Sequence, residues 1–522
     1  MWYWLRLRGP ELNQVDVVVL GGGPAGCAAA TLLARRSHRV TLVSPTTPIA
    51  GALAVSIPPS ARRVLDELGA LEAVDAAGLY PNLGNSVLWA DGDPRSESFG
   101  IQAAGYHTDR AGLERLLTEV AAEAGVNLLL GHAARSAEEL DSGWRVRCES
   151  PDGEHVIEAP WVIDATGRHG LIARTEGRKV DRSTTTLAVV QRWTRGGGWP
   201  EADRHLTFIE SYETGWAWSV PLGDDVRCYT VMIDQREADL EGDDLAGVLH
   251  RELGRTRHLG ASLDGAKPVG EAWACPASLY HAARYGRPGL LLAGDAGSFI
   301  DPLSSFGVKK ALSSGWLAGI VANTALIDPD MTQAAVNFFD AREHEVYRRY
   351  RAASAPFFGS AADVYNSPYW MERAHAAREA GNSTDDNHAG TGSTPVPDPD
   401  AFGAEVPEEE VRAAFESIRA RETLHAVRGS TLRVFEGPGI AGHRIAMEQH
   451  LATSRWPGGL RYVRGVDLLQ VIDSASQHTD VPDGWSAYNA IGPAVTLPDY
   501  LTALATAFAA GVLEHAEPSA LT

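Results

Sequence analysis

Asp16-Val17-Val18-Val19-Leu20-Gly21-Gly22-Gly23-Pro24-Ala25-Gly26 decides how the chain starts to fold. A β-branched run ends in a glycine turn, and an Ala/Leu-rich segment with helical propensity follows to about Arg36. Arg39-Val-Thr-Leu-Val-Ser44 reads as a second strand and completes a β-α-β unit. Gly21, Gly23 and Gly26 supply G-x-G-x-x-G. The first permits the tight turn, the second lets backbone approach a pyrophosphate, and the third lets helix and strand pack closely. The end of the second strand usually carries a carboxylate for the ribose; here it is Ser44, whose hydroxyl is a candidate for the same contact.

Working outward, Gly289-Leu-Leu-Leu-Ala-Gly294-Asp295 reads as an apolar strand ending on a carboxylate. It runs through Asp301-Pro-Leu-Ser304-Ser305-Phe306-Gly307 into a segment of helical propensity starting at Val308, Lys309 and Lys310. A carboxylate at a strand end and free N–H groups at a helix start suit a ligand carrying both hydroxyls and an electron-rich ring, as a flavin nucleotide does. Trp161-Val-Ile-Asp-Ala-Thr-Gly167 is a buried strand ending in a small-residue turn, where backbone can approach a cofactor. Asp109 is an N-cap candidate for a helix with Arg110 in its first turn.

Composition narrows the function classes. The 522 residues exceed one compact core, and 44% apolar with 22% charged residues is an ordinary globular balance. A net charge of −21 repels phosphate backbones and anionic lipid, so nucleic acid and membranes are not expected partners. The four cysteines, Cys27, Cys148, Cys228 and Cys275, are scattered and form no CxxC, so neither zinc nor a disulfide framework is expected, and a reducing cytoplasm fits. No run is apolar and long enough for a membrane span or a signal peptide.

The expected fold is α/β: an FAD-binding Rossmann-like domain from 15–180 and 270–330, with an antiparallel-sheet substrate domain inserted at 181–269. A helical segment at 331–378 closes the site, a Gly/Ser/Thr/Asp/Pro-rich linker spans 379–404, and a mainly helical, winged-helix-like domain occupies 405–516. That last unit pairs a helix to Arg421 with a hairpin turning at Gly437-Pro-Gly and a terminal helix at Pro498–His515. Its acidic residues outnumber its arginines and it has no lysine, which argues against DNA. Residues 59–75 read as an amphipathic helix ending at a glycine. In the inserted sheet, Gly215-Trp216-Ala-Trp218-Ser-Val-Pro221 puts two indoles on one face, either as core material or as a site wall.

The order and spacing of Gly21-x-Gly-x-x-Gly26, Arg110, Asp164-Ala-Thr-Gly167, Gly294-Asp295 and Asp301 to Gly307 resemble the FAD-dependent aromatic hydroxylase superfamily. Trp216-Ala-Trp-Ser-Val-Pro221 is similar to the W-x-W-x-I-P signature of its tryptophan-halogenase-like branch, and the resemblance covers residues 15 to about 375. It implies an extended FAD whose pyrophosphate lies on the helix starting near Gly23, Pro24 and Ala25, with Arg110 near the diphosphate or ribitol. Gly167 and Asp295 would touch the cofactor. The helix start at Gly307, Val308 and Lys309 would direct positive charge at the flavin pyrimidine edge. Trp216, Trp218, Ser304, Ser305 and Phe306 are the candidate substrate and flavin-edge residues; no general base is identified.

Halogenases of this branch resemble one another in a lysine before the Arg110 motif and in a glutamate where this chain has Ser304. Between Arg39 and Arg178 the chain has no lysine, and Ala54-Val-Ser-Ile-Pro-Pro stands in place of a G-E-S-T-V-P turn. The expectation is therefore a monooxygenase that uses O2 to hydroxylate an indole- or tryptophan-like aromatic, free or carried on a peptide or carrier protein. NAD(P)H would reduce it directly or through a flavin reductase. The alternatives are a halogenase, a flavin dehydrogenase or reductase acting on C=C bonds, and a non-catalytic FAD-binding assembly factor.

Overall fold

The structure, a computed structural model, describes residues 12–45, 53–90, 92–99, 104–181, 184–236, 244–382, 406 and 408–516. The chain divides into two compact units, Met1–Ile327 with Glu343–Thr384, and Asp328–Arg342 with Asp385–Thr522.

In the first unit, the opening strand Val17–Leu20 pairs in parallel with Val40–Ser44 on one side and Trp161–Asp164 on the other. Asn127–Leu130 and Leu290–Leu292 extend the parallel sheet, and Gly286–Arg287 closes its edge antiparallel. These strands are unbroken apolar runs because helices cover the sheet. Helix Pro24–Arg35 starts directly after the glycine turn, and helix Gly307–Ile327 packs on it through small residues: a Cβ added at Gly315 would lie 2.0 Å from the Ala25 carbonyl oxygen. The Rossmann-like reading thus holds.

A second sheet has seven strands in the order Ala266–Pro276, Thr186–Arg195, Val226–Asp234, Gly215–Pro221, Leu206–Tyr212, Gly84–Leu88 and Arg95–Ser98. It is antiparallel except where Leu206–Tyr212 meets Gly84–Leu88. Two of its strands thus come from far upstream of residue 181, where short polar segments gave little strand signal. One face packs on helices Leu245–Leu253 and His258–Ser262 through Val189, Tyr229 and Val231. The other presents Ala188, Ile209 and Trp216 to Phe358, Tyr369 and Trp370. Alternation along each strand separates the two faces.

Three local readings are corrected. The helix expected over 59–75 breaks at Gly69, which sits at φ 60°, into Arg62–Glu67 and Leu71–Ala76. Within the helical segment, residue type reads a helix from Gln333 to Arg351, but helix Thr332–Tyr365 continues through Pro356. Residues 379–382 close helix Pro368–Asn382; the remainder of the predicted linker lies outside the described residues.

The second unit carries helices Glu408–Arg419, Leu468–Gln477, Val481–Asn489 and Leu497–Ala509 around an apolar core that includes Leu451, Val471 and Leu504. Its long hairpin pairs Arg433–Ala441 with Arg444–Ala452 and turns at Gly442-His443, with Gly442 at φ 62°. Gly437-Pro-Gly is therefore strand, not turn. A two-stranded ribbon has two edges, so Pro438 can direct its missing N–H outward. The terminal helix stops at Ala509 because Gly511 takes φ 72°, and Leu513–His515 pairs as a strand with Ala426–Arg428.

Candidate functional site

Strand ends and helix starts of the first unit converge on one cavity of about 170 Å3. Its polar end is built from the glycine turn. Gly23, Pro24 and Ala25 line it, and helix Pro24–Arg35 begins there with no side-chain cap and no acidic residue in its first turn. Helix Gly307–Ile327 brings Gly307 and Val308 to the same cavity, again with no acid in the first turn. Two helix starts thus meet at one place, the arrangement that stabilises anionic ligand groups.

Bare backbone forms much of this wall. A Cβ added at Gly167, at φ 64°, or at Gly307 would meet nothing within 4 Å, and one at Gly23 would come only within 3.7 Å of the Arg110 and Glu114 side chains. Gly21 and Gly26 do not line the cavity but make the turn tight enough to form it: Cβ atoms there would lie 2.2 Å from the Ala165 oxygen and 1.8 Å from the Gly21 oxygen. Gly294, at φ 62°, lets Ala25 approach, and its N–H donates to Ser314 Oγ at 2.8 Å. Ser44 stands at its strand end beside Gly22 and is not part of the wall.

Arg110 lines the cavity from the helix capped by Asp109, whose carboxylate accepts from Gly112 N–H at 2.7 Å. Its Nε donates to Glu114 Oε1 at 2.8 Å. Asp295 reaches the cavity with Lys310 Nζ 3.8 Å behind it. Lys310, rather than Lys309, is the buried lysine: it is 2% exposed and donates to the carbonyls of Gly294, at 3.1 Å, and Ser298. Lys309 instead lies 5.5 Å over the Phe306 ring. The difference follows from helix geometry, since adjacent residues project about 100° apart. Replacing Lys310 by methionine strips two buried carbonyls and Asp295 of their donor. A loss of about 1–3 kcal/mol is expected, with weaker FAD binding, while Lys309→Met leaves the melting temperature unchanged; thermal melts and FAD titration read both.

The apolar end is the second sheet. Trp216 and Trp218 line it with ring centroids 5.0 Å apart. Trp216 is also part of the core with Trp370, so the pair is at once core and wall. Ser305 lines the cavity, held at φ 55°, a strained value for a residue with a side chain. Phe306 does not: its ring turns to Tyr350, 5.8 Å away. The Ser304 side chain lies outside what the structure describes. The sequence reading missed Arg168, which donates to Cys275 Sγ at 3.2 Å and lies 4.2 Å over Phe299; its only signal was its place next to Gly167. It also missed Ser56 and Thr207, whose neighbours are distant in sequence.

Two helix starts with no acid in their first turn, a glycine-bared wall, Arg110 and Asp295 fit an FAD, which would be held through phosphates, hydroxyls and ring edge. The FAD dependent oxidoreductase family matches residues 16–180. The family match makes residues 16–180 an FAD-dependent oxidoreductase domain, which fold and site fit, and the chain is an enzyme. The chain is similar to flavin-dependent halogenases and shares their fold. Tryptophan 2-halogenase of Chondromyces crocatus is 29% identical over 389 residues, 71% of this chain and 72% of that protein. Among solved structures, the flavin-dependent halogenase CmlS shares the fold across 97% of both chains, with TM-score 0.73 and 20% identity. The peptidyl tryptophan dihydroxylase QhpG, essential for tryptophylquinone cofactor biogenesis, shares it over 91% of this chain and 95% of its own, with TM-score 0.62 and 22% identity. Among the described residues, no helix is long and apolar enough to cross a membrane.

Proposed function

We propose that this enzyme is an FAD-dependent monooxygenase that hydroxylates an electron-rich, indole- or tryptophan-like aromatic, free or presented on a peptide or carrier. One observation carries the reading against halogenation: the placement of the chain's four lysines. Lys179 and Lys267 lie on exposed strand positions, Lys309 lies by Phe306, and Lys310 is buried against backbone carbonyls. No ammonium reaches the wall formed by Trp216, Trp218 and Ile209, and the turn residue that would be a glutamate is Ser304. Among the described residues, neither a lysine ammonium nor a glutamate carboxylate lines this cavity to polarise an electrophilic halogen.

In this reading the N–H groups of Gly23 and Ala25 and the Arg110 guanidinium hold the diphosphate, and Asp295 and Ser44 take hydroxyls. Gly307 and Val308 direct the positive end of their helix at the ring edge, where a reduced flavin carries negative charge. Reduced FAD supplies electrons to O2, and electrons reach it from NAD(P)H directly or through a flavin reductase. Trp216 and Trp218 hold the aromatic substrate and exclude water from the reacting face.

Halogenation is the second reading, favoured by the activity named for Tryptophan 2-halogenase. The two are separated by supplying FAD, NADH, a flavin reductase and O2 to the enzyme in bromide buffer with tryptophan and tryptophan-containing peptides. Products gaining the mass of one or more oxygen atoms are expected. Brominated products would overturn the proposal, as would turnover that persists without O2, which marks a C=C reductase.

A further inference from the structure

Most of the cavity's sheet wall is apolar, with Ala188, Ile209, Trp216 and Val220 among its residues. Two hydroxyls interrupt it: Ser56 on strand Ala54–Ile57 and Thr207 on strand Leu206–Tyr212. They are the outer end of a polar chain that runs into the core. Thr207 Oγ1 donates to Ser56 Oγ at 3.0 Å, and Asn82 Nδ2 donates to the same oxygen at 3.0 Å. His107 Nε2 lies 2.9 Å from Thr207 Oγ1. Asn82, His107 and Thr207 are each 1% exposed.

Counting protons sets the direction of every bond. A hydroxyl has one proton and two lone pairs. Thr207 gives its proton to Ser56, so its oxygen accepts from His107 Nε2–H. Asn82 is oriented independently, because its Oδ1 accepts from Gly84 N–H at 3.1 Å, which leaves the amide NH2 for Ser56. Both lone pairs of Ser56 are then used, and its own proton has no acceptor among the described residues. His107 stays neutral: burial, then the charges of Arg227 and His205, hold its pKa well below the usual range. The whole chain of dipoles therefore presents a positive end, the Ser56 O–H, at the cavity. An O–H whose oxygen already accepts is polarised into a stronger donor.

A donor set in an apolar wall calls for an acceptor on the bound ligand. An indole N–H is itself a donor and cannot serve. An oxygen on the ring can, and it serves best when ionised, because charge-assisted bonds are about twice as strong as neutral ones. A ring oxyanion also pushes electron density onto the neighbouring ring carbons, which is what an electrophilic oxygen needs.

We propose that Ser56, backed by Thr207, Asn82 and His107, is the docking point for a ring-bound oxygen of the substrate, taken up from solution in its ionised form. The substrate class is then phenols, hydroxylated indoles included. This rests on the reading of the cavity as the site of aromatic hydroxylation. Ser56 and Thr207 touch the ligand; His107 and Asn82 are positioning residues.

The test uses the FAD-loaded full chain and 4-nitrophenol, whose ionised form alone is strongly yellow, at a pH where most of the free probe is protonated. The wild type is expected to show the ionised probe in its difference spectrum. Ser56→Ala is expected to lose that spectrum and to bind the probe roughly tenfold to a hundredfold more weakly, the worth of one hydrogen bond to a charged group. Ser56→Thr keeps a hydroxyl and keeps the spectrum, and Thr207→Val, which removes the donor behind Ser56, gives a smaller loss. Melting temperature and flavin absorbance show that each variant is folded and loaded. The proposal is overturned if the wild type binds the probe protonated, or if Ser56→Ala ionises it as the wild type does. Should the probe bind ionised while no aromatic is oxygenated, the docking point stands and the hydroxylation reading falls. Should indoles be oxygenated while the probe does not bind, Ser56 is excluded and the reaction stands.

Discussion

Gly26→Ala is expected to give a protein that binds no FAD and melts at a much lower temperature. The added Cβ would lie 1.8 Å from the Gly21 carbonyl oxygen and 3.4 Å from Ala165 Cβ. Neither neighbour can give way, because Gly21 is itself at φ 108° with its open side 2.2 Å from the Ala165 oxygen. Overpacking a side chain costs about 1–3 kcal/mol and occasionally more, and a clash between backbone and backbone belongs at the top of that range. The turn that brings Gly23 and Ala25 to the cavity opens with it. Gly307→Ala is the comparison: nothing lies within 4 Å of its Cβ position, so its melting temperature should not fall. Flavin absorbance after reconstitution and a thermal melt of both variants read the outcome. Equal loss of stability in the two would show that the clash is not the cause.

Asp164→Asn is expected to be at least as damaging, through hydrogen bonding rather than volume. Asp164 is 0% exposed at the end of a parallel strand. Its Oδ1 accepts from Thr166 N–H at 3.0 Å and Thr166 Oγ1 at 2.6 Å, and its Oδ2 accepts from Ile172 N–H at 2.8 Å and Ala173 N–H at 3.0 Å. An asparagine keeps one acceptor oxygen and turns an NH2 on two N–H donors. Losing two bonds to a charged acceptor removes about 3–6 kcal/mol, a large part of the roughly 5–15 kcal/mol that holds a typical domain. Because the same carboxylate pins the turn carrying Gly167 and Arg168, FAD affinity should fall with stability. A denaturant melt showing a loss below about 1 kcal/mol would mean that the neighbouring backbone finds other partners.

What the sequence made legible follows from how far apart the cooperating residues lie. The β-α-β unit is local: a β-branched run, three glycines and a helix occupy one short stretch, and each glycine has a steric role that can be anticipated. Arg110, Gly167, Asp295, Gly307 and Val308 were legible because each follows a strand end or opens a helix, where cofactor-binding groups collect. The residues of the Ser56 chain were not. Thr207 is 151 positions from Ser56 and 100 from His107, and each is an ordinary residue in its own strand. Two pairings bring them together: Ala54–Ile57 with Gly105–Asp109, which sets Ser56 opposite His107, and Leu206–Tyr212 with Gly84–Leu88. The mistakes have the same origin. Gly437-Pro-Gly has the composition of a turn, but pairing with Glu448, Met447 and Ala446 keeps it in the strand, and the chain turns at Gly442 instead. Phe306 follows Ser305, whose left-handed backbone is invisible in residue type, and its ring meets Tyr350 rather than the cavity.

The activities named for the halogenase relatives and the chemistry of the cavity wall point in different directions, and the wall is the stronger guide because function follows the chemistry of a site rather than the fold that carries it. A halogenating site needs groups that polarise the halogen; this wall offers two indoles, aliphatic side chains and a polarised hydroxyl. The most direct test of that central claim supplies isotopically heavy dioxygen, in bromide buffer, to the reduced FAD-loaded enzyme with an aromatic substrate and follows the label by mass spectrometry. Oxygen from dioxygen in the product, with no bromine, is the result expected. A brominated product, or an oxygenated one whose oxygen comes from water, would contradict it.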